Sequence, residues 1–208
     1  MRNYVLCAVC LLICPAGSVR SEDVPSATFE KLFNGKNLSG WKILPGGSWR
    51  VEQGTIIGRS PKSEPRHGLL LTEQEYDDFE LRVKFQVLEG NSGIYFRCEP
   101  VEGSVGVHGF QAEVENSPLV GGLYETGGRA WVAKPDPALT NHVYKAGEWN
   151  EMHVLAQGKE IRVKLNGHQT VHLRDDPGRE RGHIALQLHG GQEMWVLFKD
   201  LEIKRLSR

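Results

Sequence analysis

The sequence is short of several things, and each shortage removes a class of protein. It has 25 Lys+Arg against 26 Asp+Glu, a formal net charge of −1. That balance lacks the basic surplus that a nucleic-acid or anionic-membrane partner would need. Methionine occurs 3 times in 208 residues, and no eleven-residue window carries a capped 3.6-residue apolar period. Long helices are therefore not expected. No apolar run reaches the roughly 20 residues that a membrane-spanning helix needs. The run from Tyr4 to Cys14 is short, follows Arg2, and leads into the small residues Pro15, Ala16, Gly17 and Ser18. Residues 1–18 read as an export signal, with the mature chain beginning near Val19 in the periplasm, at the cell surface or outside the cell. A lipid anchor on Cys10 or Cys14 is disfavoured, because bulky Val9 and Ile13 precede them. Cysteine is scarce too. Of 4, Cys7, Cys10 and Cys14 fall in the signal and Cys98 remains, which excludes an intramolecular disulfide and a Cys-rich zinc site. Absent as well are an EF-hand loop, HExxH, GxSxG and any nucleotide- or flavin-type glycine motif. Gly121-Gly122 and Gly127-Gly128 lack the Lys-Ser/Thr of a phosphate loop. No nucleotide or flavin cofactor is signalled, and a divalent metal stays open.

What the chain does have is a period of two. Phe79, Leu81, Val83, Phe85 and Val87 alternate with Glu80, Arg82, Lys84 and Gln86, a strand with one buried and one wet face. Ile161, Val163 and Leu165 alternate likewise, and Asn166-Gly167 supplies a type I′ hairpin signal towards Val171 and Leu173. Ile184, Leu186 and Leu188 make another such run, and Val196 to Ile203 a closing strand. Glu73–Asp77 could form one helical turn at most. Many short strands at turn-marked intervals predict a single all-β domain over residues 28–206, an antiparallel two-sheet sandwich or jelly roll. Residues 19–27 form a polar lead.

Three strands carry polar residues unlike an ordinary solvated face. Opposite the core set Phe110, Ala112 and Val114 stand Gln111, Glu113 and Glu115. Opposite Ile94, Phe96 and Cys98 stand Gly93, Tyr95 and Arg97, and opposite Ile184, Leu186 and Leu188 stand Ala185, Gln187 and His189. Gln, Glu, Arg, Tyr and His interleaved with Gly and Ala suit hydrogen bonding to a polar ligand. A Glu-x-Glu strand can equally be a wet sheet face, an acid–base pair for glycoside cleavage, or part of a Ca²⁺ site needing six to eight oxygens.

The ordered motifs Phe29–Trp41 (FEKLFNGKNLSGW), Asn91–Arg97 (NSGIYFR), Gly109–Asn116 (GFQAEVEN), Gly122–Arg129 (GLYETGGR), Glu148–Asn150 (EWN), Leu165–Gly167 (LNG) and Gly182–Gly190 (GHIALQLHG) resemble the 3-keto-disaccharide hydrolase family. The resemblance covers nearly the whole mature chain. It implies a concanavalin A-like jelly roll with a concave binding face, and hydrolase, lyase or hydratase activity on 3-keto sugars. Where other members read Glu-x-Gln, this chain reads Gln111-x-Glu113, so the family pattern does not fix which position is the base.

The residues suit that chemistry. A ketone at sugar C3 acidifies the C2 proton and places the C1 glycosidic oxygen β to the resulting carbanion. Elimination needs a base at C2, a donor at the C3 oxygen and an acid or metal at the leaving oxygen. Glu113 is the expected base. Arg97 is the expected enolate stabiliser, being permanently charged, and His189 the expected acid. Tyr95, Gln111, Glu115, Tyr124, Glu125, Arg129 and Gln187 are expected to hold a carbohydrate substrate. Arg97, Glu113 and His189 should then converge on one concave face within about 10 Å, unless a one-residue slip inverts a strand's faces. His153, His168 and His172 should be surface residues without a role. The alternatives are a non-catalytic carbohydrate-binding module, for which Tyr95, Tyr124 or Trp131 could stack on sugar, and a structural or interaction domain.

Overall fold

The computed structural model describes residues 28–207. The expected signal, the polar lead and Cys7, Cys10 and Cys14 lie outside the described residues. In chain order the elements are β1 (Glu30–Lys31), β2 (Trp41–Leu44), β3 (Ser48–Glu52), β4 (Thr55–Ser60), β5 (Gly68–Tyr76), β6 (Phe79–Glu89), β7 (Asn91–Pro100) and β8 (Val107–Glu115). They continue with β9 (Leu123–Thr126), β10 (Ala130–Ala133), α1 (Pro137–Val143), β11 (Asn150–Gln157), β12 (Glu160–Leu165), β13 (His168–Leu173), β14 (Gly182–Leu188) and β15 (Met194–Arg205). Two antiparallel sheets result. One has the order β13-β12-β11-β6-β15-β4-β3 with β1 added beside β15, and the other the order β10-β9-β8-β7-β14-β5-β2. This is the expected two-sheet jelly-roll sandwich.

Alternation builds the core. Phe79, Leu81, Val83, Phe85 and Val87 from one sheet meet Ile94, Phe96, Phe110, Ala112, Val114, Ile184, Leu186 and Leu188 from the other, all buried. Phe96 stacks on Phe110 with ring centroids 5.4 Å apart and meets Phe79 edge-on at 6.2 Å. Each such ring contributes roughly 1.5–3 kcal/mol by leaving water. The hairpin at Asn166 (φ 49°) and Gly167 (φ 83°) has the positive dihedrals of a type I′ turn.

Two local features depart from the sequence reading. Glu73–Asp77 forms no helical turn, because residues to Tyr76 extend β5 and pair with β14, Glu75 opposite His183. Strand pairing overrides local propensity there. Conversely, α1 follows Asp136, whose side chain accepts a hydrogen bond from the Ala138 amide, with Pro137 opening the helix. That pairing of an N-cap acid and an N1 proline was legible as a start signal.

One bulge matters most. On β7, Phe96 lies opposite Phe110 and Glu99 opposite His108, so Arg97 and Cys98 together face Gly109. Arg97 has φ 47°. Glycines flank the kink: a Cβ on Gly109 would sit 2.6 Å from the Cys98 Cα, and one on Gly182 would sit 2.5 Å from the Arg97 carbonyl carbon. Such a bulge inserts one residue and reverses the facing of the side chains beyond it.

Candidate active site

The face of the seven-stranded sheet turned away from the core carries a hollow of about 380 Å³. Its walls come from β7 (Tyr95, with Asn91 at the strand start), β8 (Gln111, Glu113), β9 (Tyr124, Thr126), β10 (Trp131) and β14 (Gln187, with His189 just beyond). Loop residues His67 and Val105 complete it. Period-two alternation delivers these side chains, since their strand neighbours Ile94, Phe96, Ala112, Leu186 and Leu188 fill the core.

Glu113 is 4% exposed. Its backbone pairs with Gly93 on one side and exchanges hydrogen bonds with Gly121 and Gly122 on the other, so neither neighbour sets a side chain beside the carboxyl group. Gln111 donates through Nε2 to both Glu113 oxygens, at 3.2 and 3.3 Å. Burial, reinforced by the Glu115 carboxylate, pushes the Glu113 carboxyl up to about 8, while hydrogen bonds from Asn91 and Gln111 pull the other way. Among the described residues no basic side chain is bonded to it. A buried carboxyl group facing a hollow without a counter-ion is poised to exchange protons near neutral pH.

A chain of polar contacts runs on from there. Gln111 Nε2 reaches the Gln187 oxygen at 3.4 Å, and Gln187 Nε2 donates to His67 Nδ1 at 2.7 Å. Gln111 can cross only because residue 93 is glycine: a Cβ there would lie 2.4 Å from Gln111 Nε2. His67 Nδ1, as acceptor, is bare, which leaves the proton on Nε2. Burial, then the neighbouring His189, push the His67 imidazole down to about 4, so it stays neutral. The two rings are 4.3 Å apart. His189 Nδ1 donates to the Gly190 carbonyl at 2.7 Å, and Nε2 has no hydrogen bond among the described residues. Tyr95 shares a 2.8 Å hydroxyl contact with Thr126, and burial pushes its phenol up, so it remains protonated. Tyr124 and Trp131 meet edge-on at 5.5 Å.

Glycines bring the two histidines together. Gly46 and Gly68 pack so closely that a Cβ on Gly68 would fall 1.5 Å from the Gly46 oxygen. A Cβ on Gly190 would lie 2.3 Å from the Pro65 oxygen, and the Gly191 amide donates to the Glu64 carbonyl at 2.7 Å.

Glu113, His189, Tyr95, Gln111, Tyr124 and Gln187 thus share one hollow, as their positions in the strands implied. Arg97 does not. The bulge turns its side chain to the end of the sandwich, where it is 1% exposed. There it donates to the Asp77 carbonyl (2.9 Å), the Gly158 carbonyl (2.8 Å), the Arg179 carbonyl (3.3 Å) and Asp78 Oδ1 (3.1 Å). The same slip moves Cys98 out of the central core into a second apolar cluster with Tyr95, Leu69, Leu71, Val107 and Ala185. Glu125 and Arg129 also miss the hollow. Glu125 alternates with Tyr124 and Thr126 and so faces away from them. It binds Arg129, which forks onto Asp176 at 2.9 and 3.0 Å. Glu115 borders the site, accepting from Asn91 Nδ2 at 3.2 Å. His153 and His172 lie half-buried on the outward face of the other sheet, beside Glu80 and Glu160, and exposed His168 is on β13 of that sheet.

The sequence reading missed His67, Asn91, Val105 and Thr126. Thr126 follows from Tyr124 by period two, and Asn91 opens the NSGIYFR motif. His67 is a loop residue with no local signal. Among the described residues, no group of three or more His, Cys, Asp or Glu side chains is disposed to hold a metal ion.

The model of the 3-keto-alpha-glucoside-1,2-lyase-like domain matches residues 28–204. The chain belongs to that family. Its fold recurs in a candidate glycosyl hydrolase of Parabacteroides distasonis, 22% identical, with a TM-score of 0.65 over 86% of this chain and 94% of that one. Carbohydrate-binding module CBM66 of Bacillus subtilis is 16% identical, with a TM-score of 0.61 over 79% and 95%. A Bacillus subtilis protein with a galectin-like fold is 12% identical, with a TM-score of 0.62 over 82% and 91%. These structural likenesses establish the sandwich. No curated protein sequence matches the chain. For a member of the 3-keto-alpha-glucoside-1,2-lyase-like family, the residues to explain are those of the hollow on β7, β8, β9 and β14.

Proposed function

We propose that the protein is an exported enzyme that cleaves 3-keto glycosides by elimination across C1 and C2, with Glu113 as the base. The observation that carries this reading is a nearly buried carboxyl group, raised to about 8, facing a polar hollow with no bonded cation among the described residues. Family membership supplies the substrate class.

In the proposed reaction a Glu113 oxygen takes the C2 proton, and the C2–H electrons enter the C2–C3 bond as the ketone becomes an enolate. The C3 oxygen needs a fixed donor. Arg97 is committed to Asp78 and three carbonyls, so that part falls to His67, whose neutral ring carries its proton on Nε2. A neutral imidazole donor can polarise a carbonyl without itself carrying charge. Collapse of the enolate forms the C1–C2 double bond and breaks the C1–O bond, and His189, protonated at Nε2, gives its proton to the departing oxygen. Water adding back at C1 turns the elimination into net hydrolysis. Tyr95, Gln111, Tyr124, Thr126 and Gln187 hold the sugar hydroxyls.

A second reading is a carbohydrate-binding module without turnover. The edge-on Tyr124–Trp131 pair at the rim favours it, as a platform for a sugar face. One assay separates the two. The wild type and Glu113→Gln are incubated with a 3-keto disaccharide, and the enone and the released sugar are followed. The enzyme reading expects product from the wild type and almost none from Glu113→Gln. Binding without product in both supports the module.

A further inference from the structure

Beside the polar hollow lies a second, larger groove of about 460 Å³, lined by Leu44, Pro45, Leu69, Pro100 and Val101. The two cavities share His67. They also share a wall, the β7–β8 loop, which turns Val105 towards the hollow while Val101 and Gly106 line the groove. That loop is pinned: the His67 amide donates to the Ser104 carbonyl at 2.7 Å, and the Val101 amide to the Gly106 carbonyl at 3.1 Å.

The layer beneath the groove is unusual for the outward face of a sheet. Leu69, which lines the groove, belongs to a buried cluster with Leu71, Val107, Ala185 and Cys98, and Leu44, also in the lining, packs against it. Tyr95 belongs to the same cluster through its ring, while its hydroxyl contacts Thr126 at the hollow. One apolar layer therefore runs from the groove to the sugar-facing side chains. Hydrogen-bonding side chains in the groove are three, Arg66, His67 and the exposed loop residue Glu102, and the first two are engaged. Arg66 is forked onto Glu64 at 2.8 and 3.0 Å, and His67 Nδ1 is held by Gln187. A second sugar ring would leave its hydroxyl groups unpaired against leucine, proline and valine, at a cost of roughly 1–3 kcal/mol for each one buried.

From this we infer that the groove is the leaving-group subsite and takes an apolar, ring-sized aglycone, so that preferred substrates are 3-keto glycosides of hydrophobic alcohols rather than disaccharides. The inference rests on the hollow being the sugar site proposed above. Its occupant follows from continuity through His67, from the groove's size and from its apolar lining.

The test uses two 3-keto glucosides of simple alcohols, methyl and 2-naphthylmethyl, each as both anomers. Both leaving groups are alkoxides, so the comparison reads contacts more than leaving-group acidity. Affinity is measured calorimetrically in the Glu113→Gln background, where turnover does not interfere. The naphthylmethyl glycoside should bind roughly 10–100-fold more tightly, as expected for apolar area withdrawn from water. Introducing Val101→Asp should collapse that ratio towards one, and Val101→Ser, a milder change on the same half-exposed loop, should reduce it. Equal affinities, no binding of either glycoside, or a ratio that survives Val101 substitution in protein with an unchanged melting curve would overturn the inference. Wild-type turnover of the 3-keto methyl glucoside is scored separately. Its absence counts against the elimination reading and leaves the affinity ratio interpretable.

Discussion

Two charged side chains on neighbouring strands are almost wholly buried, and the protein treats them in opposite ways. Arg97 on β7 is surrounded by three backbone carbonyls and Asp78, and the Gly158 amide adds a 2.8 Å bond to Asp78 Oδ1. Glu113 on β8 has only amide donors around it, the Glu115 carboxylate nearby and a hollow in front. Both pay for desolvation. In the first case the cost is offset by four hydrogen bonds donated by the guanidinium, one of them within the Asp78 ion pair, although Asp78 Oδ2 is left without a hydrogen bond among the described residues. In the second it is left standing, as a carboxyl group that keeps its proton up to about pH 8. Burial alone therefore did not distinguish anchor from reactive group; the presence of a bonded counter-charge did.

The sharpest way to break that contrast is Glu113→Gln. It keeps shape and removes the basic oxygen, so turnover of a 3-keto glycoside should fall by roughly 10²–10⁴ with affinity little changed. A kcat near the wild-type value in folded protein would make Glu113 a binding group only. The counterpart is Arg97→Met, which strands Asp78 and three carbonyls. Unfolding by denaturant should show a loss of about 3–5 kcal/mol, and whatever protein stays folded should retain its kcat. A selective loss of kcat at unchanged stability would return Arg97 to the chemistry.

pH gives a third test. The Glu113 carboxyl of the folded chain titrates near 8, above the usual carboxylate range. Between that range and about 8 the folded protein holds a proton that the unfolded chain releases, so this group lowers stability as pH rises through the window. Glu113→Gln should accordingly melt several degrees higher than the wild type at about pH 9 and nearly together with it at about pH 5. In the wild type, the kcat/KM profile for the 3-keto glycoside should be bell-shaped, set jointly by the ionised Glu113 base and the protonated His189 acid, with one inflection near pH 8. A profile flat across that range would remove Glu113 from the rate-determining proton transfer.

Two smaller effects sharpen the boundary of the site. Gly93→Ala would push a methyl group to within 2.4 Å of Gln111 Nε2, and displacing that amide should cost roughly tenfold in kcat/KM. Breaking the Glu125–Arg129–Asp176 triad with Arg129→Ala should leave kcat/KM within about threefold and cost roughly 0.2–1 kcal/mol, because Arg129 is partly exposed. A large kinetic effect would bring the triad into the substrate site.

Much of the arrangement was written in the chain. Alternation placed Phe110, Ala112 and Val114 inside and Gln111 and Glu113 outside, and the same period put Tyr95, Tyr124 and Gln187 on the side of the hollow. These placements are local consequences of the pleat, so the sequence of β8 alone recovers its share of them. Alternation also argues against Glu125, which lies one residue from Tyr124 and must therefore point the other way.

Other features have no local cause. Arg97 continues the outward set Gly93 and Tyr95 by simple alternation, yet a bulge fixed by Gly109 and Gly182 on the two neighbouring strands turns it inward. Nothing within β7 itself specifies that extra residue. His67 reaches His189 because the Gly46, Gly68 and Gly190 backbones, from three separate segments of the chain, pack tightly. The sequence by itself determined the sheets, their buried faces and the carboxyl group of the hollow, since each rests on a residue's immediate neighbours along its strand. Only the tertiary structure decided the bulge, the paired histidines and the acceptors gathered around Arg97, because each is set by contacts between segments distant in the chain.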